Sequence, residues 1–162
     1  MARIIFTLSA LVLLLSACIK ADSPMSAEDD LRSGTWRRTS GRMTYKDPAT
    51  RGDSTKDYIL DQASCRKDNS LEFKENFTGI MNMGGDRCSA GEGDTKAFSW
   101  LITQDAKRIS LYGVTDYFPA NDIDADILTR TLGYLTIRYR VIQVNTDFQT
   151  ADTFIYTDVL RR

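Results

Sequence analysis

Leu135, Ile137, Tyr139 and Val141 alternate with Thr136, Arg138 and Arg140, a period of two that suits an extended strand with one buried face. The same rhythm recurs along most of the chain. Phe98, Trp100 and Ile102 alternate with Ser99, Leu101 and Thr103, Ile109 and Leu111 mark a return strand after a turn at 104–107, and Asp122–Leu128 and Thr153–Leu160 add two more. Leu71 and Phe73 run into a turn at Glu75–Asn76, and Gly79, Met81 and Met83 then share one face of the next strand, which reads as a hairpin. Trp36, Met43 and Tyr45 suit a strand that changes face at Gly41. Lys46 to about Lys56 is loop by composition, Tyr58–Leu60 is a brief apolar island, and Tyr117-Phe118-Pro119 is an aromatic loop or edge.

No helix-period run is long enough to cover a sheet, so the expectation is seven to nine short strands joined by polar turns. Such a set must hide two edges, and closure into a barrel removes them. Eight strands make the smallest barrel whose interior can also hold a ligand. The expected fold is therefore all-β, an antiparallel up-and-down barrel of about eight strands. A two-sheet sandwich gives the same alternation and stays open at this point.

The N-terminus begins Met1-Ala2-Arg3, followed by an apolar run from Ile4 to Leu15 that is too short to cross a bilayer as a finished helix. Leu15-Ser16-Ala17-Cys18 resembles the lipobox of bacterial lipoproteins, in which a leucine and small residues precede the cysteine that is acylated. That resemblance implies that residues 1–17 are a removable signal and that Cys18 carries a membrane lipid anchor. The alternative is an ordinary secretory signal cut near Ala17 or Ala21. Two or three acyl chains hold a domain at a membrane essentially permanently. Ile19 in place of aspartate fits passage to the outer membrane, so the expected location is the bacterial cell envelope. Residues 18–30 read as a polar tether, with Ser26 able to cap one helical turn through Leu31. Residues 31–162 read as one domain.

With Cys18 assigned to lipid, Cys65 and Cys88 remain in an oxidising compartment and are expected to form a disulfide. A metal site lacks ligands, because the chain has no histidine and no close pair of cysteines. The absence of histidine also removes the usual general base, and no carboxylate is marked by an apolar neighbourhood, so a non-enzymatic protein without cofactors is expected. Lys and Arg number 21 against 22 Asp and Glu, which gives no electrostatic case for nucleic acid. Gly84-Gly85 and Gly91–Gly93 precede no helix and are loop, not a phosphate cradle. Asp122, Asp124 and Asp126 form a row on one strand face, read as solvated because the order of a calcium loop is missing.

From Gly34 and Trp36, through Cys65-Arg-Lys-Asp68-Asn69, Leu71, Phe73 and Phe77-Thr78-Gly79, to Cys88 and Phe98-Ser-Trp100, the chain resembles the lipocalin-like domains of small lipoproteins of the Bacteroidetes group. Phe77 stands where those proteins usually have glycine. The resemblance implies a barrel whose Gly-x-Trp tryptophan crosses the closed end, often stacked with a late arginine, for which Arg138, Arg140, Arg161 and Arg162 are candidates. Met81, Met83, Phe98, Trp100, Ile109, Leu111, Leu135, Ile137 and Tyr139 are the expected inward residues. Among them Met81, Met83, Trp100, Leu111 and Tyr139, with Tyr117 and Phe118 at the mouth, are the candidate ligand-binding set. The same side chains could equally fill a barrel solid. Tyr117, Phe118, Tyr112 and Tyr134 are the candidate exposed aromatics, with the alternative that Tyr117 and Phe118 fold over the barrel rim. The expected function is a membrane-anchored binding module for a small apolar ligand, or alternatively a packed barrel that engages an envelope protein.

Overall fold

The computed structural model describes residues 26–103, 105–145 and 150–162. The expected signal, residues 1–17, and the expected lipid site, Cys18, lie outside the described residues. Ser26 caps α1 (Ala27–Arg32) through an Asp29 N–H to Ser26 Oγ bond of 3.1 Å, as the capping pattern anticipates. Nine strands follow among the described residues: β1 (Thr35–Lys46), β2 (Asp53–Asp57), β3 (Ser70–Phe73), β4 (Thr78–Asn82), β5 (Thr95–Ile102), β6 (Arg108–Tyr112), β7 (Asp122–Thr131), β8 (Tyr134–Asn145) and β9 (Thr150–Arg161).

All pairings are antiparallel. Strands β3 to β9 pair in sequence, and β9 closes the ring on β1 with partners from Arg37↔Arg161 to Thr44↔Ile155. Because β2 and β3 share the opposite edge of β1, one pairing with Arg42–Lys46 and the other with Thr35–Arg37, they make one interrupted stave. The result is a closed, lipocalin-like up-and-down barrel of eight staves, and closure excludes the sandwich.

Strand β2, Asp-Ser-Thr-Lys-Asp, corrects the reading of this stretch as loop. It carries no hydrophobic alternation and is strand because the edge of β1 offers hydrogen bonds.

The register of β1 against β9 shifts between Arg38 and Ser40. Trp36 and Arg38 face inward before this bulge, and Gly41, Met43 and Tyr45 after it, so one extra residue re-aims the rest of the strand. The change of face read at Gly41 is centred on Thr39.

The barrel has a closed end, formed by α1 and the turns β3–β4, β5–β6 and β7–β8, and a loop end. At the closed end Trp36 is fully buried and its Nε1 donates to Leu31 O at 2.8 Å. Of the four candidate arginines it is Arg162 that stacks on Trp36, 5.3 Å from the ring centroid. Arg161 lies over Tyr134 instead, and Arg138 is on the outer face with Asp126. Gly34 makes room for this cap, since a Cβ there would lie 2.8 Å from Arg162 Cδ. Asp30, nearly buried, draws in Arg162 at 3.3 Å and Arg130 at 3.6 Å, which ties α1 to the last residue and to β7.

Three loops interlock at the other end. Cys65 and Cys88 form the expected disulfide, with Cα atoms 5.2 Å apart, joining the 58–69 insertion to the β4–β5 loop. Beside it Asp68 accepts the N–H groups of Gly85 and Asp86 at 2.7 and 3.2 Å, which hold its carboxyl below the usual range. Gly84, at φ +63°, must lack a side chain because its Cβ would sit 2.1 Å from Asp68 Cγ. Asn69 Nδ2 donates to Asp116 O at 3.1 Å, and Lys96 and Arg66 pair with the Asp116 carboxylate, which adds the β6–β7 loop. Opening the disulfide by Cys65→Ala with Cys88→Ala will cost about 3 kcal/mol on the chain-entropy estimate. Thermal unfolding followed by circular dichroism should show the midpoint about 10 °C lower, and wild-type protein in reductant should match the double variant.

Candidate functional site

The interior is where the candidate residues converge. Alternation on β4, β5, β6 and β8 sends Met81, Met83, Trp100, Leu111 and Tyr139 inward, all at 3% exposure or less. Phe98, Ile109, Leu135 and Ile137 join them in the same core. The rings interlock edge to face, Phe73 against Phe98 and Trp100 at 5.5 and 5.4 Å, and Tyr139 stacks on Tyr156 at 5.3 Å. Trp100 Nε1 finds its partner in Thr78 O at 2.7 Å.

Tyr117 and Phe118 belong to this interior, each 1% exposed, which fits their folding over the barrel rim and not their exposure as a docking patch. The loop from Gly113 to Asn121 turns back through N–H bonds of Tyr117 and Phe118 to Val114 O and plugs the barrel. Phe118 then meets Tyr139 edge-on at 5.7 Å. Tyr112 is exposed as expected, and Tyr134 is half-covered by Arg161.

Within this apolar interior lies a buried ionic cluster. Asp158 of β9 is fully buried and receives Tyr58 Oη at 2.6 and 2.8 Å and Tyr139 Oη at 2.8 Å. Arg38 Nη1 stands 4.0 Å from the carboxylate and donates to Tyr58 Oη at 3.0 Å and to Tyr117 O at 2.6 Å, while Nη2 donates to Gln62 Oε1 at 2.5 Å. The guanidinium also sits over the rings of Tyr58, Tyr117 and Phe118 at 5.3, 5.0 and 5.8 Å. Arg38 is thus the bolt that holds the plug to the barrel wall. Gly41 permits the approach, because a Cβ there would lie 2.5 Å from Asp158 Oδ1 and 2.6 Å from Tyr58.

Burial pushes the Asp158 carboxyl above its usual range, and Arg38 and the two tyrosine hydroxyls oppose this only in part. Burial, reinforced by the Asp158 charge, also raises Tyr58 and Tyr139, so both remain protonated donors at neutral pH. The donors surrounding the carboxylate are protein groups, an arrangement that orders a core.

Sequence reading missed this cluster. Arg38 stood as one of two adjacent arginines, but Asp158 carried a signal: it shares strand parity with Tyr156 and Leu160, which places a carboxylate on the inward face.

Asp122, Asp124 and Asp126 lie exposed on the outer face as expected, where Arg108 pairs with Asp124 and Asp126 and Arg138 with Asp126. No cluster of acidic or cysteine side chains suited to a metal occurs among the described residues. The chain has no histidine, so no imidazole serves as a general base here.

No family model and no curated protein matches the chain. A solved bovine odorant binding protein, a deswapped triple mutant, is similar over 80% of this chain and 72% of its own, at 14% identity and a TM-score of 0.39. The barrel assignment rests on the strand pairings themselves.

Proposed function

We propose that this protein is a lipid-anchored, non-enzymatic lipocalin-like binding module with a packed interior, held in the cell envelope through Cys18 and engaging an envelope protein through its outside. One observation carries the packed-barrel reading: Trp36, Phe73, Trp100, Tyr117, Phe118 and Tyr139 occupy the interior together, and Arg38 bolts the 113–121 loop over the barrel mouth. A constitutively loaded carrier needs that space for its ligand. The anchor reading is supported by the lipobox resemblance.

A second reading, a carrier for a small apolar molecule, is favoured by the plug itself. Withdrawal of residues 113–121 would take Phe118 off Tyr139 and open this end of the interior without breaking a strand pairing. Native mass spectrometry of protein purified gently from its host envelope, followed by denaturing extraction, separates the two. The packed-barrel reading predicts a protein free of bound small molecules. A stoichiometric apolar compound would transfer the assignment to the carrier.

A further inference from the structure

We infer that the closed end of the barrel is a membrane-docking face, with Leu132 and Phe77 as apolar knobs that enter an electrically neutral lipid surface. The inference rests on the anchor reading, because it is the anchor that brings this end to the bilayer. Seven residues lie between Cys18 and Ser26, eight Cα-to-Cα steps with a covalent reach of at most about 28 Å. The described domain begins at Ser26, and α1 lies across the closed end, against Trp36, Arg130 and Arg162. The short tether therefore joins the domain at the end that carries these turns.

Two turns at that end carry exposed apolar side chains. The β7–β8 connection is the two-residue turn Leu132-Gly133, with Gly133 at φ +83°. Only Gly133 takes a positive φ, so the position before it accepts an ordinary residue, and Leu132 stands there at 79% exposure, the most exposed of the large hydrophobic side chains among the described residues. In the β3–β4 turn Phe77 holds φ +58°, a left-handed conformation that disfavours an aromatic residue, and remains 43% exposed. Leu132 is not demanded by its turn, and Phe77 packs part of its ring on Trp100, centroids 5.5 Å apart, while its remainder faces out. Tyr134, under Arg161 at 4.3 Å, follows Leu132 and pairs an aromatic ring with a cation, a combination suited to the headgroup region. The charges at this end are of mixed sign, Glu28 and Asp29 beside Arg32, Lys74 and Lys107, so insertion and not charge attraction is the mode of contact.

The test uses the full lipidated chain in phosphatidylcholine vesicles. An environment-sensitive fluorophore is attached at Leu132→Cys or, as a control on the part of β8 near the loop end, at Val144→Cys, which is also highly exposed. Cys65 and Cys88 are bonded to each other, which leaves the new thiol for the label. A lipid-borne quencher should act at position 132 about threefold more strongly than at 144, as expected for a side chain buried at the acyl boundary. Adding Phe77→Gly, which fits the left-handed backbone, should weaken the quenching at 132. Equal quenching at both positions, or stronger quenching at 144, overturns the docking face. Intact mass reports the acyl group separately: an acylated chain with equal quenching overturns docking alone, whereas a bare Cys18 overturns the anchor reading and docking with it.

Discussion

Replacing Asp158 alone by leucine will destabilise the fold by about 3–5 kcal/mol, and adding Arg38→Met will recover most of that loss. The single change leaves a guanidinium buried at 4% exposure without its carboxylate, and two tyrosine hydroxyls lose their acceptor. The double change removes both charges, and apolar side chains of similar size then face the aromatic cage. Urea unfolding of the four proteins in the cycle measures the coupling. If the loss in the double variant equals the sum of the losses in the two single variants, the pair is not coupled. The pH dependence has a definite sign. A carboxyl whose folded-state pKa is raised above 3.8 contributes stability that is fully present below that value and is lost as pH rises through the raised value. The advantage of wild type over Asp158→Asn should therefore be greatest in acid and shrink across that window.

Trp36→Ala will cost a similar amount, about 3–5 kcal/mol, because it empties the closed end of the barrel. The indole is fully buried, donates to Leu31 O and underlies Arg162, so its removal also frees α1 and the C-terminus. Arg162→Ala should cost only about 1 kcal/mol, the scale of an exchanged cation–π contact. Chemical denaturation measures both. A loss for Trp36→Ala no greater than that for Arg162→Ala would mean that the cap is not part of the cooperative core.

The hairpins were legible because one buried face writes itself into alternate residues, as in Leu135–Val141 and Phe98–Ile102. Met81, Met83, Trp100, Leu111 and Tyr139 were legible as inward for the same reason. Closure was an inference from edge chemistry, since the β1–β9 pairing joins residues more than a hundred positions apart and leaves no local mark. Strand β2 was illegible because both of its faces are polar, and its existence depends on a partner edge. For Tyr117 and Phe118 the sequence leaves open an exposed patch or a fold over the rim, because a loop carries no periodicity to say which way it folds. What turns it inward is the hydrogen bond from Arg38 to Tyr117 O, a contact between segments 79 residues apart.

The central claim is that the barrel is filled and its plug is part of the folded core. Hydrogen exchange at the amides of Tyr117 and Phe118, both bonded to Val114 O, tests it most directly. A plug bolted by Arg38 predicts protection close to that of the β8 and β9 ladder amides, reduced sharply in Arg38→Met. Exchange as fast as in an open surface turn, with the ladder still protected, would show that the loop opens independently and would contradict the packed barrel.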